Sequence, residues 1–151
     1  MTNGTSVTIG GDGSLTATGG QEGAGIGGGR REAVGMVSIV GGTVSATGGM
    51  YAAGIGGGNG GTNCTIVISG GSVTATGGTY SAAIGSGDQW TEQTATGDTI
   101  VISGGVIRVS CPYSDYAGPA GIGSSGCGSC SAVTICGGTI LPTGRSEEHT
   151  S

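Results

Sequence analysis

The chain has 151 residues, of which 39 are glycine, none is phenylalanine and one is tryptophan, and nine acidic against four basic residues leave a formal net charge of −5. Four arginines without a lysine do not make the basic stripe that displaces counterions from a phosphate backbone, so nucleic acid is excluded as a partner. No run of about 18 apolar residues is present, so no membrane insertion is expected.

Taken from the N-terminus, MTNGTSVTIGG lacks the basic and apolar regions of a signal peptide and passes directly into a repeat. The apolar triplet that opens each unit recurs as Val7-Thr8-Ile9, Val37-Ser38-Ile39, Ile66-Val67-Ile68, Ile100-Val101-Ile102 and Val133-Thr134-Ile135, with a Gly-Gly pair close behind each. A second run follows as Leu15-Thr16-Ala17, Val44-Ser45-Ala46, Val73-Thr74-Ala75, Ile107-Arg108-Val109 and, less regularly, Ile140-Leu141-Pro142. The third is Ala24-Gly25-Ile26, Ala53-Gly54-Ile55, Ala82-Ala83-Ile84 and Ala120-Gly121-Ile122, with no counterpart after the fifth opening triplet.

Self-similarity at a fixed period identifies a solenoid. Apolar residues alternate with Thr, Ser or Gly over each short run, which is the strand pattern. No run shows helical spacing, and each interior glycine would destabilise a helix by about 1 kcal/mol. Collagen is excluded because glycine does not fall at every third position, and a flexible linker would not carry periodic Val and Ile. The fold class expected is all-β: a right-handed parallel β-helix with three faces and about five coils of 29 to 34 residues, the spacing from Val7 to Val37, Ile66, Ile100 and Val133. All ten opening-triplet Val and Ile residues are expected to form one internal ladder. Residues 88 to 98 are expected to bulge out as an insertion between coils three and four.

The repeat domain is read as residues 1–144. Neither end shows a polar cap, which predicts a fragment of a longer solenoid with further repeats of the same parent chain at both ends. Residues 145–151, RSEEHTS, look like the translation of a sequencing adaptor and are read as a non-native or disordered tail. That segment holds His149, the one histidine, so the repeat domain offers no Ser-His or Cys-His pair.

Several residue groups could carry chemistry. Tyr51 and Tyr80 occupy the same place in adjacent coils, four residues before Ile55 and Ile84, where coil one has Glu22; Tyr113 and Tyr116 fall in the enlarged corner of coil four. An aromatic edge of this kind suits sugar rings, and Trp90 lies in the nearby insertion. Packing of like on like is the alternative. A Thr-x-Thr pattern (Thr16 and Thr18, Ser45 and Thr47, Thr74 and Thr76) resembles ice-binding surfaces, although threonine also suits any solvated strand face. Asp88, Glu92 and Asp98 are the one dense acidic group, as a glycoside hydrolase or lyase would need, and surface solvation accounts for them equally. Cys127 and Cys130 have the spacing of a metal or redox pair. A local disulfide, a metal site lacking two further ligands, or free thiols are all consistent with that spacing. No cofactor is expected.

The strings GGTVSATGGMYAAGIGGG and ISGGSVTATGGTYSAAIGSG resemble the glycine-rich β-helix repeats of large secreted or surface-anchored bacterial proteins of adhesin-like or carbohydrate-binding type. The resemblance implies an extracellular or cell-surface location and a polysaccharide or host glycan as partner, and it carries over no catalytic position. The resulting expectation is a non-enzymatic structural or adhesive module, with a β-helix lyase or hydrolase as the alternative.

Overall fold

The computed structural model describes residues 5–61, 64–88, 97–112, 118–125 and 130–143, with the backbone alone for residues 130 and 131. Coil one comprises β1 (Ser6–Ile9), β2 (Ser14–Thr18) and β3 (Ile26–Gly27); coil two β4 (Met36–Ile39), β5 (Thr43–Thr47) and β6 (Ile55–Gly56). Coil three comprises β7 (Thr65–Ile68), β8 (Ser72–Thr76) and β9 (Ile84–Gly85); coil four β10 (Asp98–Ile102), β11 (Val106–Ser110) and β12 (Ile122–Gly123). Of a fifth coil, β13 (Cys130–Ile135) and β14 (Thr139–Pro142) are described. The three runs of each coil thus build three sheets, ordered β1-β4-β7-β10-β13, β2-β5-β8-β11-β14 and β3-β6-β9-β12. Every pairing is parallel. The chain therefore winds as an all-β parallel solenoid of four full turns and part of a fifth.

Register follows the sequence repeat residue for residue. Val7, Val37, Ile66, Ile100 and Val133 follow one another rung by rung in one column, and Ile9, Ile39, Ile68, Ile102 and Ile135 in a second. A one-residue slip would turn every aliphatic side chain outward, so burial enforces this register. The inner columns are completed by Val44, Val73 and Ile107, by Ala46, Ala75 and Val109, and by Ile55 and Ile84, all buried. The interior is thereby filled with aliphatic side chains.

Two expectations are corrected. The ten-residue ladder exists in register, but Val133 and Ile135 are 43 % and 52 % exposed. A rung is buried by neighbours on both sides along the axis, and among the described residues nothing covers β13 on its outer side. The third strand is also shorter than its triplet suggested, reducing in each coil to an Ile-Gly pair. Its glycines, Gly27, Gly56, Gly85 and Gly123, have φ between 133° and 142°, outside the region that a side-chain-bearing residue adopts, and this ends the strand. A Cβ on Gly56 would be driven into the carbonyl oxygen of Gly85 in the next coil. The insertion expected to bulge out, including Trp90, lies largely outside the described residues.

Two predictions follow the column geometry. Ile68→Ala, at a fully buried mid-ladder position, should destabilise the fold by about 2–5 kcal/mol in urea unfolding, whereas Ile135→Ala at the exposed end rung should cost less than about 1 kcal/mol. Gly56→Ala should cost roughly 3 kcal/mol or more, because it combines a glycine-only backbone with a backbone collision. Gly20→Ala, where an added Cβ meets nothing within 4 Å, is the matched control and should leave the unfolding midpoint unchanged.

Candidate functional site

The tyrosine corner is built by a tight turn between the second and third strands. In coil two the Ala52 N–H donates to Gly49 O (3.1 Å), and in coil three the Ser81 N–H donates to Gly78 O (3.1 Å). Tyr51 and Tyr80 are each the third residue of their turn, with φ of 63° and 64°. Turns with positive φ at that place usually carry Gly or Asn. The two rings stack on each other with centroids 6.1 Å apart and planes 6° from parallel, the offset arrangement that the ring quadrupoles favour. Both tyrosines are half-buried, and the exposed Met50 precedes Tyr51. The structure therefore brings together the two tyrosines that the repeat aligned. Because they stack on one another, one face of each ring is taken.

On the coil-one side this column ends in a polar cluster that the repeat pattern did not flag. The Glu22 carboxylate accepts from Asn59 Nδ2 (3.0 Å) of the next coil and pairs with Arg30 Nε (3.3 Å). The backbone repeats the link, since Asn59 N–H donates to Glu22 O and Asp88 N–H to Tyr51 O, both at 2.9 Å. Counting from the Ile-Gly pair places Arg30, Asn59 and Asp88 at one position of successive coils, and that count was the available signal. Tyr113, Tyr116 and Trp90 lie outside the described residues. The Thr-x-Thr positions do align outward on one sheet, with Thr16, Ser45 and Thr74 in one column and Thr18, Thr47 and Thr76 in the next. Arg108 and Ser110 interrupt both columns in coil four.

The family model described as Beta helix repeat matches residues 7–30, 37–61 and 66–88, one match for each of the first three coils. The chain carries a parallel β-helix repeat region. No curated protein and no solved structure matches it. Each matched β-helix segment begins at an opening Val or Ile and runs past the Ile-Gly pair, so the match spans core strands and corners alike. This repeat type specifies a scaffold rather than an activity, because its recurring positions are aliphatic, glycine, serine and threonine.

The acidic group of the β-helix departs from expectation. Asp88 and Asp98 are 5 % and 3 % exposed, so they are not solvated surface carboxylates; Glu92 lies outside the described residues. Asp88 sits where its own N–H reaches both Tyr51 O and Ser81 Oγ (3.1 Å). Asp98 opens β10 beside Cys64, whose N–H donates to Asp98 Oδ1 at 3.0 Å. Burial pushes the Asp98 carboxyl above the usual carboxylate range, and the hydrogen bond from the Cys64 backbone opposes this in part. The Cys64 thiol is pushed up to about 12 by burial and by the nearby Asp98 charge, so it is inert as a nucleophile at neutral pH.

Cys64, Cys111 and Cys136 are free thiols, and the Cys111 and Cys136 S–H groups donate to Ala120 O (3.3 Å) and Ile102 O (3.6 Å). Cys127 and the Cys130 side chain lie outside the described residues, so the disulfide reading concerns positions not described. Among the described residues no group of three or more His, Cys, Asp or Glu is arranged to hold a metal ion.

The raised Asp98 value fixes the sign of a pH dependence. Its folded state holds the proton more tightly than the unfolded chain does, so stability is greatest below the unfolded carboxylate value and falls as pH rises through the folded one. Asp98→Asn keeps an oxygen acceptor for the Cys64 N–H and removes the titration. Thermal melts between pH 4 and pH 7 should show wild type losing stability with rising pH more steeply than Asp98→Asn. Equal slopes would show that Asp98 does not titrate differently in the two states.

Proposed function

We propose that the chain is a non-catalytic structural module of a secreted or surface-attached bacterial protein, a short rigid rod that contacts polysaccharide along its tyrosine edge. In its parent protein, further repeats of the same kind continue the rod. The observation that carries the glycan reading is the backbone at Tyr51 and Tyr80. Glycine holds eleven described positive-φ positions and Arg31 one more, yet at this corner the chain keeps two aromatic residues in a conformation costing about 1 kcal/mol or more each. Their mutual stacking returns about 0.5–1.5 kcal/mol, and the half-burial of both rings offsets the remainder, so the pair comes close to neutral for folding. Selection for stability alone would be met as well by glycine. What the side chains add is an aromatic rim with hydroxyl groups next to the Glu22, Arg30 and Asn59 cluster, suited to the apolar edges and hydroxyls of a sugar chain.

The near-neutral energetics also make the reading testable. Tyr51→Gly combined with Tyr80→Gly should shift the unfolding free energy by less than about 1 kcal/mol, since lost stacking is offset by relieved backbone strain. Pull-down on insoluble polysaccharides and a glycan array should show retention of wild type and at least tenfold weaker retention of the double variant. Equal retention would remove the tyrosine edge from the reading, and release of sugar fragments by wild type would replace it with an enzymatic one.

A further inference from the structure

We infer that Tyr51 and Tyr80 are an oxidative modification site, at which one-electron oxidation joins the two rings by a carbon–carbon bond and staples coil two to coil three. The inference rests on the geometry of the two turns and is independent of the glycan reading, which concerns the unoxidised side chains. Both tyrosines occupy the same place in successive coils and share one backbone conformation, with φ of 63° and 64°. Their turns are tied together through the backbone, since the Gly78 N–H, two residues before Tyr80, donates to Ala52 O, next to Tyr51, at 2.9 Å. The rings accordingly lie within 6° of parallel, with centroids 6.1 Å apart. That separation exceeds the roughly 4.8 Å between neighbouring coils, so the rings are displaced sideways as well as stacked.

A phenol that loses one electron and its hydroxyl proton becomes a phenoxyl radical, whose unpaired electron is shared between the oxygen and the two ortho carbons. When both rings are oxidised, the two unpaired electrons pair as a bond between one ortho carbon of each ring. The hydrogens on those two carbons then move to the oxygens, which restores both aromatic rings and both hydroxyls. The pair has lost two electrons and two protons, and one hydrogen peroxide takes them up to become two waters, with a haem peroxidase as the agent of transfer. Half-burial leaves each ring within reach of an oxidant in solution. Coupling closes the gap between the rings by less than one ring diameter, through a swing about the side-chain torsions. Because the fold holds the two rings together before oxidation, the coupling is intramolecular and outpaces encounters between chains. The new bond closes the chain from Tyr51 to Tyr80, one full coil, into a loop and so restricts the unfolded state.

Oxidation of the full chain with hydrogen peroxide and a haem peroxidase tests this, read by dityrosine fluorescence and by mass spectrometry after thermolysin digestion, which cuts at the Val and Ile residues between the two tyrosines. Wild type should yield a linked peptide pair containing Tyr51 and Tyr80, lighter than the sum of its parts by two hydrogen atoms. Its initial rate per chain should not change with protein concentration. Tyr51→Phe and Tyr80→Phe each keep a stackable ring that forms no phenoxyl radical, so each should fold as wild type does by circular dichroism and lower the yield of this linkage, and the intramolecular fluorescence, at least tenfold. Oxidised wild type should unfold at a higher urea concentration than before oxidation, and oxidation should not raise the midpoint of either variant. Absence of the Tyr51–Tyr80 peptide pair from oxidised wild type overturns the inference, whatever the polysaccharide retention of the unoxidised chain. Dityrosine that forms only between chains, at a rate per chain rising with concentration, overturns it as well, as does undiminished intramolecular fluorescence in either folded variant.

Discussion

In-register parallel hydrogen bonding between coils is the constraint on which the rest of the structure depends. Each coil has to place its backbone within strand-pairing distance, roughly 4.8 Å, of the coils on either side. The demand falls equally on strands and corners. At the Ile-Gly strand it is met only because Gly56 carries no Cβ to collide with Gly85 O, which is then free to accept from Gly57 N–H at 2.9 Å. Glycine is abundant at these sites because neighbouring backbones occupy the space where a Cβ would stand. The aliphatic columns then fill what remains inside, and their burial falls away from the central coils toward the two end rungs.

The tyrosine corner is where this economy of glycine is set aside. Coil two uses Gly60, at φ 65°, for the turn after its third strand, whereas coil one uses Arg31 at φ 55° in the corresponding turn. Tyr51 and Tyr80 make the same exchange at the neighbouring corner. A side chain in the left-handed region persists when something beyond the turn compensates for it. For the tyrosines that compensation is the ring stack, available because the same position recurs one coil along the axis. A lone tyrosine at such a turn would have no partner to stack on.

Asp98 shows how an insertion is joined to a regular solenoid. It stands where the longer third coil re-enters the first sheet, and its carboxylate takes up the Cys64 N–H that precedes β7. A side chain there replaces the backbone acceptor that a regular coil would supply. Across the next pairing the register shifts between Asp98 and Thr99, so the irregularity is absorbed within one residue of the re-entry point. The aliphatic columns from Ile100 onward proceed undisturbed.

The repeat determined the all-β solenoid, the three sheets, the pairing of Val7 with Val37 and Ile9 with Ile39, and the alignment of Tyr51 with Tyr80. All of these are consequences of period, and period is written in one dimension. The tertiary structure decided what depends on neighbours in the other two. The exposure of Val133 and Ile135 reflects which rungs are covered along the axis, which identical triplets cannot reveal. The burial of Asp88 and Asp98, and the link between Glu22 and Asn59, depend on residues whose separations fall outside any strand pattern. The sequence placed two tyrosines one above the other, but only the folded turn, with its positive φ, brought their faces together rather than leaving them side by side toward solvent.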